Sequence, residues 1–73
     1  KMGGVFVDTI KRVQDLMQVR DMNLCVLTKK CGISYSTIQT TARRGGQLSV
    51  ETIERICLGL GITLKDFFDS SYL

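Results

Sequence analysis

The sequence predicts an all-α fold of five short helices, and three observations carry that prediction. Apolar residues recur three and four apart in successive segments, the rhythm of one helix face. Asn, Ser and Thr stand just ahead of those segments and Gly just after them, where helices are capped and stopped. The chain has 7 Gly and no Pro, which suits an all-helical chain joined by short turns.

Val5, Phe6, Ile10, Val13, Leu16 and Met17 follow the rhythm and predict helix 1 from about Val5 to Val19 or Arg20. Lys11, Arg12, Gln14, Asp15 and Gln18 fall mostly on its other face, and Asp21-Met22 makes a turn. Asn23 is the N-cap expected for helix 2, which runs to about Lys30. Its inward residues are Leu24 or Leu27, then Thr28 and Cys31. Gly32 supplies the positive φ that ends the helix sharply, and Ile33 plugs the core from the turn. Ser34 is expected to cap helix 3, from Tyr35 to about Arg43, whose clearly apolar residues are Ile38 and Ala42. A helix with so little apolar surface belongs in a small domain only if its polar face has a use or its neighbours hold it down.

Gly45-Gly46-Gln47 reads as a loop. Ser49 caps helix 4, and Glu51 in its first turn suits the helix dipole. Helix 4 is expected to bury Val50, Ile53, Ile56, Cys57 and Leu60 and to end at Gly59 or Gly61. Thr63 caps helix 5, from Leu64 to about Phe68, with Leu64, Phe67 and Phe68 closing the core. The stretch from Asp69 to Leu73 is expected to fray, with Tyr72 and Leu73 available for packing or for a partner.

Seventy-three residues fit one domain spanning 1–73, and a chain of this size buries only about 60% of its unfolded surface. No repeat, linker or low-complexity tract divides it. The net charge of +3 says little, but its distribution says more. Residues 1–22 carry four basic and three acidic side chains, residues 23–48 four basic and none acidic, and residues 49–73 two basic and four acidic. The middle third is the electropositive part.

The 3 Cys include no CxxC pair, and the chain has no His. A zinc site is not expected, nor any other metal or cofactor. Cys31 and Cys57 read as small core residues and all three as reduced thiols, which favours a cytoplasmic protein. No stretch approaches the roughly 18 apolar residues of a membrane span, and Lys1-Met2-Gly3-Gly4 starts no signal peptide. An enzyme is not expected. With no His, the Lys and Cys side chains form no nucleophile–base pair at helical spacing, and most carboxylates lie on the acidic far side.

From Leu27 to Ile38 the chain reads Leu-Thr-Lys-Lys-Cys-Gly-Ile-Ser-Tyr-Ser-Thr-Ile. That is a short helix, a glycine, an apolar residue, a serine and a second helix. No acidic residue occurs from Met22 to Val50, while Lys29, Lys30, Arg43 and Arg44 do. A helix-turn-helix spacing inside an acid-free basic window points to a polyanion, above all double-stranded DNA. A base-reading helix needs a partner helix to fix its angle, a tight unstrained turn, and short polar side chains facing out. Leu27, Cys31, Ile33 and Ile38 can share the core of the two helices, and Thr28 is small enough to let them approach.

Two blocks then carry a family resemblance. One is Thr28-x-x-x-Gly32-Ile33-Ser34-x-Ser36-Thr37-Ile38. The other is Ser49-x-Glu51-Thr52-Ile53 with Leu60-Gly61-Ile62-Thr63-Leu64-x-x-Phe67-Phe68. Over about residues 5–69 the chain resembles the Cro/xenobiotic-response-element family of bacterial and phage helix-turn-helix regulators. The resemblance implies a five-helix lambda-repressor-like DNA-binding domain, with the helix-turn-helix at helices 2 and 3 and helix 3 in the major groove. Carried over by position, Ser34, Tyr35, Ser36, Gln39 and Thr40 are the base-side candidates. Gln39 suits adenine N6 and N7, and Tyr35 or Thr40 a thymine methyl. Asn23, Lys29 or Lys30, Thr37, Arg43 and Arg44 are the phosphate candidates, and an Arg suits guanine if the helix end dips inward.

The chain departs from the family pattern at six of these positions. Leu24 stands where Gln is usual, Thr28 for Ala, Thr41 for an aliphatic or aromatic residue, Ala42 for Glu, Arg44 for Gly and Leu48 for Pro. Helix 3 is therefore expected to run on or turn differently at its end. The resemblance implies a repressor that binds as a homodimer, through helix 5, the Tyr72-Leu73 tail or segments beyond this sequence. The competing reading is a protein-interaction module, an antitoxin or adaptor, with weak or lost DNA binding. On that reading Gln39 and Thr40 are ordinary exposed residues and Arg43-Arg44 a generic helix-end charge pair.

Overall fold

The structure, a computed structural model, describes residues 8–69. Five helices follow in order: α1 Thr9–Val19, α2 Leu24–Cys31, α3 Tyr35–Arg44, α4 Val50–Leu60 and α5 Leu64–Phe68. Among the described residues there is no strand, and no helix is long and apolar enough to cross a membrane.

Local chemistry sets the boundaries. Asp8 caps α1 by accepting from the Lys11 N–H at 3.0 Å. The helix therefore starts at Thr9 rather than near Val5. Val5 and Phe6 lie outside the described residues, as do Tyr72 and Leu73. Asn23, Ser49 and Thr63 each accept from the third backbone N–H after them, as their positions predict. Gly32 takes the left-handed conformation at φ 67° and closes α2, with the Ile33 N–H donating back to the Thr28 carbonyl at 2.9 Å. α3 ends one residue later than expected, at Arg44, with Gly45 after it in the left-handed region. Of the two ends expected for α4, Gly61 is the one used.

The core is one cluster of Val13, Leu16, Leu27, Cys31, Ile38, Leu48, Ile53, Ile56, Cys57, Leu60 and Phe67. Phe67, Leu27, Ile56 and Val13 are sealed at its centre. α2 and α4 form its most extensive helix pairing, and Gly59 is the point where α4 crosses Cys31 of α2. Thr28 fits between the helices because its buried hydroxyl bonds internally, to the Leu24 and Cys25 carbonyls at 2.9 and 3.1 Å.

Three expected core residues are not in the core. Val50 is 66% exposed, while Leu64 and Phe68 lie at the surface and leave Phe67 alone to close α5. Each flanks the buried stripe at a helix end, where a half-turn of rotation decides the face. Leu48, in the α3–α4 loop, joins the core, a burial the sequence reading did not assign.

Two long-range ties fix α1. The Thr9 N–H and hydroxyl both donate to Gln47 Oε1, at 3.0 and 2.8 Å, and the same hydroxyl accepts from the Leu48 N–H at 2.8 Å. This clamps the α3–α4 loop to the start of α1. Arg12, read as an outer-face residue, folds inward. Its guanidinium donates to the Phe67 carbonyl, to the Asp66 carbonyl at 2.8 Å and to Asp15 at 2.9 Å. A cation from α1 thus meets the carbonyls at the end of α5, where the Asp66 carbonyl also accepts from the Asp69 N–H at 3.3 Å.

Candidate nucleic-acid interface

α3 is rooted by one side chain. Ile38 is 4% exposed and anchors the helix in the core. With about 100° of rotation per residue, Ser36, Gln39, Thr40 and Arg43 are placed well away from Ile38. Ser36, Gln39 and Arg43 are exposed and Thr40 is half-buried. Tyr35 is 46% exposed at the edge of this flank. Side chains on it pair with one another rather than with the core: Gln39 Nε2 donates to the Tyr35 hydroxyl at 3.1 Å.

Ser34 departs from expectation. Its backbone sits at the N-cap, at φ −73° and ψ 131°, yet its side chain makes no cap bond. The Ser34 hydroxyl pairs instead with the Ser36 hydroxyl at 2.8 Å. A neighbouring hydroxyl competes here with the backbone N–H for a short, adaptable side chain. Thr41, where the family pattern has an aliphatic or aromatic residue, donates its hydroxyl to the Thr37 carbonyl at 2.8 Å.

The phosphate candidates are all exposed. Asn23 accepts from the Val26 N–H at 2.9 Å through Oδ1, which leaves its amide N–H groups free to donate outward. Lys29 and Lys30 occupy the last turn of α2, and Arg43 and Arg44 that of α3, where positive charge suits the helix dipole. Among the described residues none of these four cations enters an ion pair. Thr37 stands apart from Gln39. It borders a shallow hollow at the helix-turn-helix turn with Ser34, Thr52 and Arg55. Among the described residues Asn23, Lys29 and Lys30 make no hydrogen bond or ion pair to α3.

Sequence reasoning missed two neighbours of this surface. Arg55 of α4 reaches the Gly32 carbonyl and Glu51, both at 3.4 Å, and so adds a cation beside the turn. It sits in an acidic stretch and one turn after Glu51, which hides it in the sequence. A groove of about 440 Å³ also runs between α1 and α3, with Met17 and Leu24 on one wall and Gln39 and Arg43 at its edge. Leu24, where the family pattern has Gln, turns part of this edge apolar.

This arrangement suits DNA binding: a helix with a polar outer flank braced by a partner helix, with cations in the last turns of both that make no ion pair among the described residues. The model of the Cro/C1-type HTH DNA-binding domain matches residues 12–70. The chain belongs to that helix-turn-helix family, and its fold of five helices without a strand among the described residues is the one that family has. No curated protein and no solved structure matched the chain.

Proposed function

We propose that the protein is a sequence-specific transcriptional regulator, a repressor that acts by occupying its operator with α3 in the major groove of double-stranded DNA. The proposed unit is a single domain of residues 1–73. The observation that supports this best is the outer flank of α3. It carries short polar side chains and the cations Arg43 and Arg44, which enter no ion pair among the described residues, inside a window of residues 23–48 with no acidic side chain.

On this reading the labour divides in two. Asn23, Lys29, Lys30, Thr37, Arg43 and Arg44 hold phosphates and set register, which carries no sequence information. Ser34, Tyr35, Ser36, Gln39 and Thr40 face base edges, with Gln39 matched to the donor and acceptor of adenine. Occupancy excludes or positions polymerase without bond chemistry, so no cofactor is needed.

One module covers one half-site, and two-fold operators place half-sites about 34 Å apart. A homodimer fits that geometry. Its support is a mostly apolar hollow between α4 and α5, lined by Cys57, Leu58, Ile62 and Leu64 with Glu54, where Leu58 is 82% exposed. The same hollow suits the competing protein-interaction reading, so DNA binding itself must be tested.

Selection from a randomised duplex pool is that test. The expected product is an inverted repeat whose binding weakens steeply with salt. Four neutralised phosphates per module give a log–log slope of about −3.6, and roughly twice that for a dimer on both half-sites. No enrichment, with no binding to random duplex at low salt, would contradict the proposal in favour of an adaptor.

A further inference from the structure

Tyr35 and Gln39 stand one helical turn apart on α3, and their bond runs from Gln39 Nε2 to the Tyr35 hydroxyl over 3.1 Å. Both residues are exposed, so the core does not require this contact. The other side of Gln39 faces a groove walled by Ile10, Met17, Leu24 and Ala42, which offer the amide no partner. Gln14 and Arg43 are polar groups at that groove, and among the described residues neither bonds to Gln39.

A primary amide has two N–H donors and one carbonyl acceptor. An adenine edge uses one donor, at N7, and the carbonyl, at N6–H. One N–H is left without a role. A free Gln side chain must also surrender its rotamers before it can read a base.

We propose that Tyr35 is a positioning residue for Gln39: its hydroxyl takes the N–H that adenine leaves over and holds the carbonyl and the other N–H outward as a preformed reading pair. This rests on the reading of α3 as the base-reading helix. It gives Tyr35 a task other than contact with a thymine methyl. The nearby hydroxyls of Ser34 and Ser36 satisfy each other and do not compete for the amide.

Tyr35→Phe removes the hydroxyl and keeps the ring. The test measures base preference at every position of the selected duplex for wild type, Tyr35→Phe, Gln39→Ala and the double variant. Gln39→Ala is expected to lose roughly tenfold in preference for adenine at one position. Tyr35→Phe should lose several-fold in adenine preference at that same position, with base preference at the other positions and the unfolding temperature unchanged. The double variant should match Gln39→Ala. If Tyr35→Phe keeps the adenine preference while Gln39→Ala loses it, or shifts preference elsewhere in the Gln39→Ala background, the positioning role is overturned and the reading of α3 stands. If Gln39→Ala keeps the wild-type preference throughout, that reading fails and the positioning role fails with it.

Discussion

Gly59 of α4 lies directly against Cys31 of α2: a Cβ placed at position 59 would stand 2.4 Å from Cys31 Sγ and 2.9 Å from its Cα. The second of those is a backbone atom and cannot swing away. Gly59→Ala must therefore push α4 off α2, the most extensive helix pairing in the core. Ala in a helix interior regains about 0.5–1 kcal/mol over Gly, but overpacking costs about 1–3 kcal/mol. The net expectation is destabilisation, read as a lower unfolding midpoint in urea. A stabilised Gly59→Ala would show that the two helices separate freely.

Arg12 caps α5 from a distance of 54 residues in sequence. Its side chain is 13% exposed, and its bonds to Phe67 and Asp15 are partly buried while that to Asp66 is exposed. Hydrogen bonds from charged groups contribute about 1.5–3 kcal/mol each where partners would otherwise be stranded. Arg12→Ala is expected to loosen α5 first. Amide exchange at Phe67 should rise before that of α4. Unchanged protection at Phe67 would remove Arg12 from the account of α5.

The three cysteines should divide one against two. Cys25 is exposed, while Cys31 and Cys57 are buried. Burial pushes both buried thiols above the ordinary range, opposed at Cys31 by the Lys30 charge and reinforced at Cys57 by Asp66, Cys31 and Glu54. The thiolate is the reactive form. Alkylation of native protein near pH 8 should therefore modify Cys25 quickly and the other two only after unfolding. Rapid modification of Cys31 in native protein would mean that α2 and α4 open readily.

Thr63 and Asp66 form a reciprocal capping box at α5, with bonds of 3.2 and 3.0 Å. The Thr63 backbone N–H, then its hydroxyl, hold the Asp66 carboxyl below its ordinary value. A lowered folded pKa gives stability that is full above the unfolded value of about 3.9 and is lost as pH falls through the folded one. Wild type should exceed Asp66→Asn in unfolding temperature near pH 7, and the gap should close as pH falls through the folded pKa. A gap independent of pH would show that the carboxylate charge is irrelevant there.

Much of the fold was legible because its punctuation is local. Asn23, Ser49, Thr63, Gly32 and Gly61 act within four residues of themselves, so their meaning survives without the tertiary structure. The start of α1 was misread because Val5 and Phe6 continue the apolar rhythm through the capping Asp8. Val50, Leu64 and Phe68 were placed in the core because hydrophobicity gives a stripe but not its edges. The Thr9–Gln47 clamp spans 38 residues and leaves no periodic trace. Arg12 was misread for a similar reason, since a charged residue on a polar face can still fold inward to a distant carbonyl. At the candidate site the absence of acidic residues is a property of composition and was visible at once. Side-chain pairing was not: nothing in the sequence separates a capping Ser34 from one bound to Ser36, or ties Gln39 to Tyr35.

The central claim is that the outer flank of α3 meets DNA. Heteronuclear NMR of labelled protein, titrated with its selected duplex, tests it most directly. The account predicts the largest shift changes at the backbone amides of Tyr35–Arg44 and at the Gln39 side-chain amide, with smaller changes at Lys29 and Lys30. Changes confined to Leu58, Ile62 and Leu64, with α3 unmoved, would contradict it.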